Sequence, residues 1–300
     1  MRVLLTGGTG FIGKHLSRYL NQAHLTVVSR NPTRANELLG DNIQIISSLE
    51  ALRHLNDFDA VINLAGEPIV DKRWTKAQKR KICQSRWKMT RELVTLFKMS
   101  TQPPKVFLSG SAIGIYGDQA CRKIDESWHD FHPGFTHDVC AEWERIALSL
   151  EGVTRVCLLR TGVVLGAKAG MLKKLLPVFK LGLGGPIGRG EQFLSWIHIE
   201  DMTRAILYLL NHDACHGVYN LTAPNPVTNL EFSAALAQAM HRPLIFRTPA
   251  WTMKLALGEA SSLVLDSQRI YPKRLEQSGF HFHHPQLSPA LNHLLSHETC

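Results

Sequence analysis

Three glycines near the N-terminus have the most definite chemistry in this chain. Gly7, Gly10 and Gly13 lie in the run LLTGGTGFIG, where an apolar strand-like segment turns into a helical pattern. In this context the first glycine permits a tight turn, the second lets the backbone approach a pyrophosphate, and the third lets the helix pack close to the strand. Free N–H groups and the helix dipole then hold the anion. The loop therefore predicts a dinucleotide-binding site.

The end of the predicted second strand indicates which dinucleotide is bound. An acidic residue roughly 20 residues beyond the glycine loop would hydrogen-bond a ribose 2′-hydroxyl, yet the first carboxylate of the chain is Glu37. The strand ends instead at Ser29 and Arg30, with Arg34 one turn further on. A guanidinium and a hydroxyl match a 2′-phosphate in charge and geometry. The sequence therefore predicts NADP rather than NAD as the cofactor.

Several further segments carry a resemblance to a known family. They are NLAG at 63–66, SGSAIGIYG at 109–117, LRTGVVLG at 159–166, SWIHIED at 195–201, LGE at 257–259 and SQR at 267–269. Together with the glycine loop, they resemble the extended short-chain dehydrogenases of the NAD(P)-dependent epimerase/dehydratase superfamily, in its atypical epimerase-like branch. The resemblance covers essentially the whole chain.

The resemblance implies a set of cofactor-binding residues. The glycine loop would hold the pyrophosphate, the end of the second strand the adenosine ribose phosphate, and the end of the fourth strand the middle of the cofactor. The residues implied are Gly7, Thr9, Gly10, Phe11, Ile12, Gly13, Ser29, Arg30, Leu64, Ala65, Gly66, Glu67, Arg73, Ser109 and Val163.

The chain departs from the superfamily at the residues that normally carry the chemistry. Family members place a Tyr-x-x-x-Lys pair on the helix after the fifth strand, where the tyrosine is the acid or base and the lysine lowers its pKa. None of the five tyrosines here has a lysine four residues later. Aligning that helix by its glutamate puts Thr136 and Cys140 at the two positions. The usual proton relay is therefore missing.

Three residues are candidates to replace the relay. Ser111 lies just past the predicted strand Val106–Ser109, at the carboxyl edge of the sheet, where it would hydrogen-bond a substrate carbonyl or serve only as a turn residue. Tyr116 matches the Tyr-Gly pair of the superfamily, which is more often structural. Cys140 lies on the helix expected to face the nicotinamide, as do His137 and Asp138. The sequence does not decide among them.

Other polar clusters have alternative interpretations. His198 and Asp201 suggest a dyad, although Asp201 fits better as a helix cap or first-turn acid. Arg189 would meet an anionic group of the substrate or lie on a plain surface loop. Five histidines near the C-terminus have spacing that suggests a metal site, but no carboxylate or cysteine stands at supporting spacing, so we predict no metal. These are His281, His283, His284, His293 and His297.

The elements that must position these residues alternate between β-rich runs and helical patterns. Such alternation predicts a doubly wound α/β fold with a parallel (Rossmann) sheet and a smaller C-terminal substrate-side α/β region. Strands are predicted at Val3–Thr6, Leu25–Ser29, Ile43–Ile46, Ala60–Leu64, Val106–Ser109 and Arg155–Arg160, and helices at Ile12–Gln22, Thr33–Leu39, Thr75–Met99 and 136–150. The predicted cofactor domain is 1–165, with a return around 195–222, and the substrate-side region is 166–194 and 223–300.

Composition and charge exclude several classes of protein. With 300 residues, 44% of them hydrophobic and 20% charged, the chain is neither disordered nor collagen-like. No C-x-x-C pair occurs among its six cysteines, so we expect reduced thiols. No apolar run approaches the roughly 18 residues that span a bilayer, and no signal peptide is evident, so we expect a cytoplasmic protein without a membrane partner.

The excess of positive charge indicates the kind of partner. The 34 Lys and Arg residues outnumber the 25 Asp and Glu residues and give the chain a net charge of +9. Nine of the 34 lie in one stretch, from Lys72 to Arg91. These cations crowd into one helical stretch, in which Trp74 and Trp87 are the only aromatic residues, instead of forming a run beside aromatic stacking residues as in a nucleic-acid site. An anionic small-molecule substrate therefore fits better, unless the charge simply faces water. Homodimer formation is expected by analogy, because the helices at 75–99 and 136–150 pair between subunits in similar folds.

These observations lead to one reading of function and two alternatives. The preferred reading is an NADP-binding oxidoreductase that transfers hydride to or from a carbonyl or alcohol carbon. The alternatives are a non-catalytic NADP-binding sensor or interaction module, and a nucleotide-sugar epimerase. The absent Tyr-Lys pair favours the first alternative, whereas the basic segment and Arg189 favour the second.

Overall fold

The computed structural model of the chain describes residues 1–20, 23–167 and 169–296. Its strands are β1 (Arg2–Thr6), β2 (His24–Val28), β3 (Gln44–Ile46), β4 (Ala60–Asn63), β5 (Val106–Ala112), β6 (Lys123–Ile124), β7 (Arg155–Thr161), β8 (Val163–Gly166), β9 (Phe193–Leu194), β10 (Trp196–His198), β11 (Gly217–Leu221), β12 (Val227–Thr228) and β13 (Arg269–Ile270). Its α-helices are α1 (Phe11–Tyr19), α2 (Pro32–Leu39), α3 (Lys76–Met99), α4 (Phe135–Leu148), α5 (Gly170–Lys180), α6 (Ile199–Asn211), α7 (Asn229–Ala239), α8 (Ala250–Leu257), α9 (Ser262–Leu265), α10 (Lys273–Gln277) and α11 (Leu287–Ser296).

Seven strands form one sheet in the order β11-β7-β5-β4-β1-β2-β3, and all of its pairs are parallel. The order reverses between β1 and β4, which makes their carboxyl ends the switch point where ligands of doubly wound sheets bind. The predicted doubly wound fold is confirmed, and each predicted strand lies in this sheet within a few residues of its predicted bounds.

The largest difference in strand length concerns β5. It continues to Ala112 instead of ending at Ser109, because the whole segment pairs with β7 as far as Thr161. Ser109 therefore lies inside the strand and is fully buried. The first helix ends at Tyr19, and Gln22 of the predicted helix lies outside the described residues.

Alternate residues of the central strands supply two cores, one on each face of the sheet. On β1, Val3 and Leu5 pack with α1 and α6, whereas Leu4 packs with α3 and α4. This is the alternation expected of a strand, and it explains why the central strands are apolar on both faces.

A third apolar cluster organises the C-terminal region. It includes residues of α5, α7 and α11 and is centred on Trp196 and Phe232. Two-residue pairings add to it: β12 is antiparallel to β9 within this region, and β13 is parallel to β6 of the main domain. Within the described part of the chain, no helix has the length and apolar character needed to span a membrane.

Candidate cofactor and substrate site

The glycine loop is packed too tightly at two positions for any side chain. Gly7 has φ +72°, and a Cβ there would lie 2.5 Å from the carbonyl oxygen of Leu64. A Cβ on Gly13 would collide with the carbonyl oxygen of Gly7. At Gly10, by contrast, that same carbonyl oxygen, at 3.1 Å, is the only neighbour among the described residues within 4 Å of an added Cβ. The surface over Gly10 is therefore open to a ligand, while its two flanks are closed by backbone.

Helix α1 begins directly behind this open surface. Gly10 is its N-cap, no side chain caps it, and no acidic residue occupies its first turn. The first-turn N–H groups have no intrahelical acceptors and carry the positive end of the helix dipole. Thr9 is exposed at the tip of the loop. This end of α1 fits the pyrophosphate of a dinucleotide.

Three residues implied by the resemblance have packing roles. Phe11 lies against Gly166, where an added Cβ would collide with its ring. Ile12 and Val163 are half-buried and pack against the third apolar cluster. Their side chains hold α1 against β8, so any cofactor contact from them would come from the backbone or from side-chain edges.

The end of β2 presents a hydroxyl and a free cation. Ser29 is half-buried, and its Oγ lies 3.2 Å from the carbonyl oxygen of Asn31 and 3.3 Å from that residue's backbone nitrogen. Arg30 is exposed, and among the described residues no carboxylate forms an ion pair with it. Glu37 is exposed on α2. The strand end therefore offers positive charge and no acidic partner for a ribose hydroxyl.

The end of β4 is fixed by a buried polar chain. Thr6 donates to the Oδ1 of Asn63 at 2.6 Å, and the Nδ2 of Asn63 donates to the hydroxyl of Thr90 at 2.9 Å. These bonds tie β1, β4 and α3 together at the switch point. Leu64 and Ala65 follow directly and lie against Gly7.

Arg86 is a residue of this site that the sequence analysis did not single out. It lies on α3, and a Cβ added to Gly66 would come within 2.9 Å of its guanidinium. Its Nη1 donates to the carbonyl oxygens of Glu67 and Ile82, both at 3.1 Å. Its hydrogen-bond partners are thus uncharged, and burial lowers its pKa. The only sequence signal for it was membership of the nine-cation segment.

Glu67 and Arg73 follow the end of β4 but differ in orientation. The backbone nitrogen of Glu67 donates to the Oγ of Ser85 at 2.8 Å, which keeps Glu67 beside Arg86. Arg73 instead donates to the carbonyl oxygen of Leu255 at 2.6 Å. Its guanidinium therefore attaches this segment to the C-terminal region rather than facing the glycine loop.

Ser111 and Tyr116 belong to a buried network around an ion pair. Arg160 donates to the two carboxylate oxygens of Glu144 at 2.9 and 2.8 Å, and Ser111 donates to the same carboxylate at 2.6 Å. Arg160 also donates to the hydroxyl of Tyr116 at 2.9 Å, and Tyr116 donates to Asn220 at 2.8 Å. Burial raises the pKa of Tyr116. Both hydroxyl groups already donate hydrogen bonds to buried protein groups, which favours a role in holding the structure over transfer of a proton to substrate.

Cys140 lies on the buried face of α4, and this placement argues against a proton shuttle. Burial, together with the nearby carboxylate of Glu144, raises the pKa of its thiol to about 12. A thiol with that pKa stays protonated near neutral pH. The neighbouring His137 is held by the carbonyl oxygen of Ile115, 2.7 Å from its Nδ1, and Asp138 is exposed in the first turn of α4.

The remaining polar candidates fall outside the site around the glycine loop. Arg189 is exposed and pairs with Glu191 at 3.0 Å, as a surface loop residue would. Asp201 does not form a dyad with His198; it lies in the first turn of α6, as one interpretation predicted, whereas His198 caps that helix. Of the C-terminal histidines, His284 and His293 approach His198, and His297 lies outside the described residues.

The fold and the loop define the class of protein. A doubly wound parallel sheet with an open, uncapped glycine loop at its switch point is the architecture of Rossmann-type dinucleotide-binding proteins of the short-chain dehydrogenase kind. The profile of the NAD dependent epimerase/dehydratase family matches residues 3–222. The chain belongs to this family. A second profile, of a domain of unknown function, matches residues 248–294.

Similar proteins span essentially the whole chain. An epimerase family protein of Staphylococcus epidermidis is 36% identical over 299 residues, covering 98% of this chain and 99% of its own. The crystal structure of human epimerase family protein SDR39U1 (isoform 2) with NADPH superimposes with a TM-score of 0.91 at 32% identity, covering 99% of both chains. A nucleoside-diphosphate sugar epimerase from Corynebacterium glutamicum gives 0.76 at 28% identity, covering 99% of this chain and 58% of that one.

Proposed function

We propose that this protein binds NADP(H) over the glycine loop and transfers hydride to or from a carbonyl or alcohol carbon of a small anionic molecule. The observation that carries the cofactor assignment is Arg30, an exposed guanidinium at the end of β2 without an acidic partner among the described residues. A 2′-phosphate would give it a partner, and Ser29 would add a hydrogen bond. The human relative crystallised with NADPH supports the same choice.

The cofactor assignment is tested by calorimetric titration with NADPH and NADH side by side. We expect NADPH to bind at least about tenfold more tightly, a difference of roughly 1.4 kcal/mol. Arg30→Ala should abolish this preference while leaving NADH binding unchanged. Arg242→Ala, which removes an exposed arginine beyond the end of α7, is the matched control and should keep it. Equal affinities for both cofactors in the unmodified protein would contradict the proposal.

The anionic character of the substrate is inferred from Arg86. Its guanidinium is largely desolvated beside Gly66, and its hydrogen bonds go to carbonyl and hydroxyl oxygens, while the carboxylate of Glu67 acts on it only through space. A buried cation without a directly bonded anion is costly, and a phosphate or carboxylate bound to it would offset that cost. Arg86 lies close to Cys140, the position at which the family's lysine is replaced. It can therefore supply positive charge near the reacting end of the cofactor, where the missing lysine would have done so.

The reaction would proceed without a dedicated tyrosine. NADPH, when bound, supplies the hydride, and the protein orients the carbonyl. Because Ser111 and Tyr116 are committed to the ion-pair network, the proton would come from solvent or from the substrate itself. NADPH oxidation should be followed with a panel of phosphorylated and carboxylated carbonyl compounds beside neutral ones. Arg86→Lys should raise KM for the anionic compounds more than for the neutral ones.

The non-catalytic module remains a second candidate because of a specific observation. Each of the three residues considered for proton transfer, Ser111, Tyr116 and Cys140, is buried with its polar group engaged or its pKa raised. Tight NADPH binding with no oxidation by any compound in the panel would favour this module. Turnover of a nucleotide sugar with no net change in bound cofactor would favour the epimerase instead.

A further inference from the structure

A cluster of histidines and one carboxylate lies outside the site described above. His198 ends β10, Glu200 lies in the first turn of α6, His284 precedes α11 and His293 lies within it. One imidazole nitrogen or carboxylate oxygen from each of the four lies within 4.8 Å of all the others. Three separate segments of the chain therefore converge on one small volume with their donor atoms facing each other.

The spacing of these donor atoms is that of metal ligands. The Nδ1 of His293 is 3.2 Å from the Nε2 of His198, and the Nε2 of His284 is 3.0 Å from the Oε2 of Glu200. Two donors bound to one tetrahedral zinc ion, with bonds of about 2.0–2.1 Å, are roughly 3.3 Å apart. These distances between donor atoms would therefore need to change only slightly for the atoms to surround one metal ion.

Ring geometry and tautomers decide which residues are ligands. The Nδ1 of His198 accepts the backbone N–H of Glu200 at 3.0 Å, so the proton of this imidazole lies on Nε2. The ring of His198 stacks on that of His284 with centroids 3.7 Å apart, whereas rings sharing one tetrahedral ion are roughly 5 Å apart. The ring of His293 is 4.6 Å from that of His284 and 5.1 Å from that of His198, so the close stacking on His284 and the Nε2 proton are what set His198 apart. His198 is therefore a hydrogen-bond donor to the site rather than a ligand.

We propose that Glu200, His284 and His293 bind a divalent transition-metal ion, preferably zinc, and that His198 donates its Nε2 proton to a water molecule in the fourth position. Two imidazoles and a carboxylate form a known zinc donor set that leaves one position open. Imidazole nitrogens disfavour magnesium and calcium, which take oxygen ligands.

The surroundings hold the ligands in place. Asp201 is fully buried and accepts the backbone N–H groups of His283 at 2.9 Å and His284 at 2.8 Å, which fixes the segment carrying His284. The second carboxylate oxygen of Glu200 lies 3.1 Å from the Nδ1 of His283. Among the described residues Glu200 forms no ion pair with a lysine or arginine. The charge of Glu200 is therefore available to a metal ion. Contacts such as those of Asp201 and His283, made by residues next to the ligands, hold metal ligands in a fixed orientation.

The proposed ion would crosslink the C-terminal segment to the main sheet layer. Helix α6 packs on the central sheet through Met202 and Ile206, whereas α11 packs in the third apolar cluster through Leu291. A metal bound between them adds a connection that the unfolded chain lacks, so binding should stabilise the fold.

The test uses the full chain without a histidine tag, stripped with a chelator and titrated with zinc chloride in a calorimeter. We expect one tight equivalent and a rise in melting temperature. Glu200→Gln and His293→Ala should each weaken binding at least about tenfold, while His281→Ala, which removes an exposed histidine three residues before His284, should leave it unchanged. Cobalt should give the intense visible absorption of a four-coordinate site in the unmodified protein and not in Glu200→Gln.

Each outcome of this test decides the proposal. If the unmodified protein, Glu200→Gln and His293→Ala all bind zinc with the same affinity, zinc binds at scattered surface histidines and the proposal is overturned. Absence of a tight equivalent in the unmodified protein would also overturn it. If His293→Ala fails to fold, Glu200→Gln still tests the site, because the amide keeps the shape of the side chain while removing its charge.

Discussion

The buried pair of Glu144 and Arg160 leads to a quantitative prediction about Glu144→Gln. The two side chains are only 6% and 7% exposed and are joined by two hydrogen bonds. The amide keeps the size of the carboxylate but removes its charge and turns one donor toward the guanidinium. Burial opposes the charge of Arg160, but Glu144 outweighs this effect and raises its pKa. Without that carboxylate Arg160 still stays protonated, because a guanidinium does not lose its proton in proteins.

The magnitude follows from the burial of both charges. Removing one partner of a buried ion pair costs about 3–5 kcal/mol, because the other charge stays desolvated. At about 2–4 °C per kcal/mol for a domain of this size, the melting temperature should fall by roughly 6–20 °C. Ser111 also loses its strongest acceptor, which adds to the cost.

Thermal unfolding followed by circular dichroism at neutral pH measures this fall, and the same helix offers a control. Glu142 lies two residues away on the surface of α4 and pairs with Arg145 and Arg91. Exposed pairs contribute little, so Glu142→Gln should shift the melting temperature by no more than about 2 °C. Equal shifts for the two variants would refute the reasoning that burial, rather than pairing, sets the cost.

Three further predictions concern acidity, reactivity and backbone strain. Burial, with a second carboxylate nearby, raises the pKa of Asp266 to about 6, so ionisation of this carboxyl destabilises the folded protein as the pH rises from about 4 to 6. In thermal unfolding, Asp266→Asn should therefore be as stable as the unmodified protein at pH 4 and about 1–2 kcal/mol more stable at pH 8. A variant less stable than the unmodified protein at pH 8 would contradict this. In the native protein a thiol reagent should label exposed Cys121 and spare Cys140, as mass spectrometry would show; equal labelling rates would show that Cys140 is accessible. Gly7→Ala should weaken NADPH binding at least about tenfold in calorimetry. The control is Gly152→Ala, at a glycine with a similar positive φ but no neighbour within 4 Å in the described part of the chain, which should bind NADPH as before. A similar loss of affinity in both variants would mean that backbone strain, rather than crowding of the glycine loop, causes the loss.

The sequence predicted the central sheet because its strands carry a local signal. Val3–Thr6 and Ala60–Leu64 are short apolar runs followed by helical patterns, which is typical of parallel strands buried on both faces. The glycine loop was equally local, since turn, strand and helix all lie within ten consecutive residues. The two-residue strands β6, β9, β12 and β13 have no such signal, because nothing in so short a run is periodic.

The side-chain networks could not be predicted because they join residues distant in sequence. Glu200 approaches His284 across 84 residues, so a search for a carboxylate at regular spacing near the C-terminal histidines could not find it. Glu144 and Arg160 are 16 residues apart on a helix and a strand. The commitment of Ser111 to that pair therefore became evident only in three dimensions.

The return of the chain to the main sheet has a consequence for synthesis and for engineering. Strand β11 covers the free edge of β7, and α6 supplies Met202 and Ile206 to the core that also contains Val3 and Leu5. During synthesis the first six strands of the sheet emerge before α6 and β11. Until residue 221 has emerged, the edge of β7 stays open and the apolar surface that α6 covers stays exposed. A chain truncated after residue 165 should therefore aggregate. A truncation or C-terminal fusion that preserves the seven-stranded sheet must retain residues 1–221.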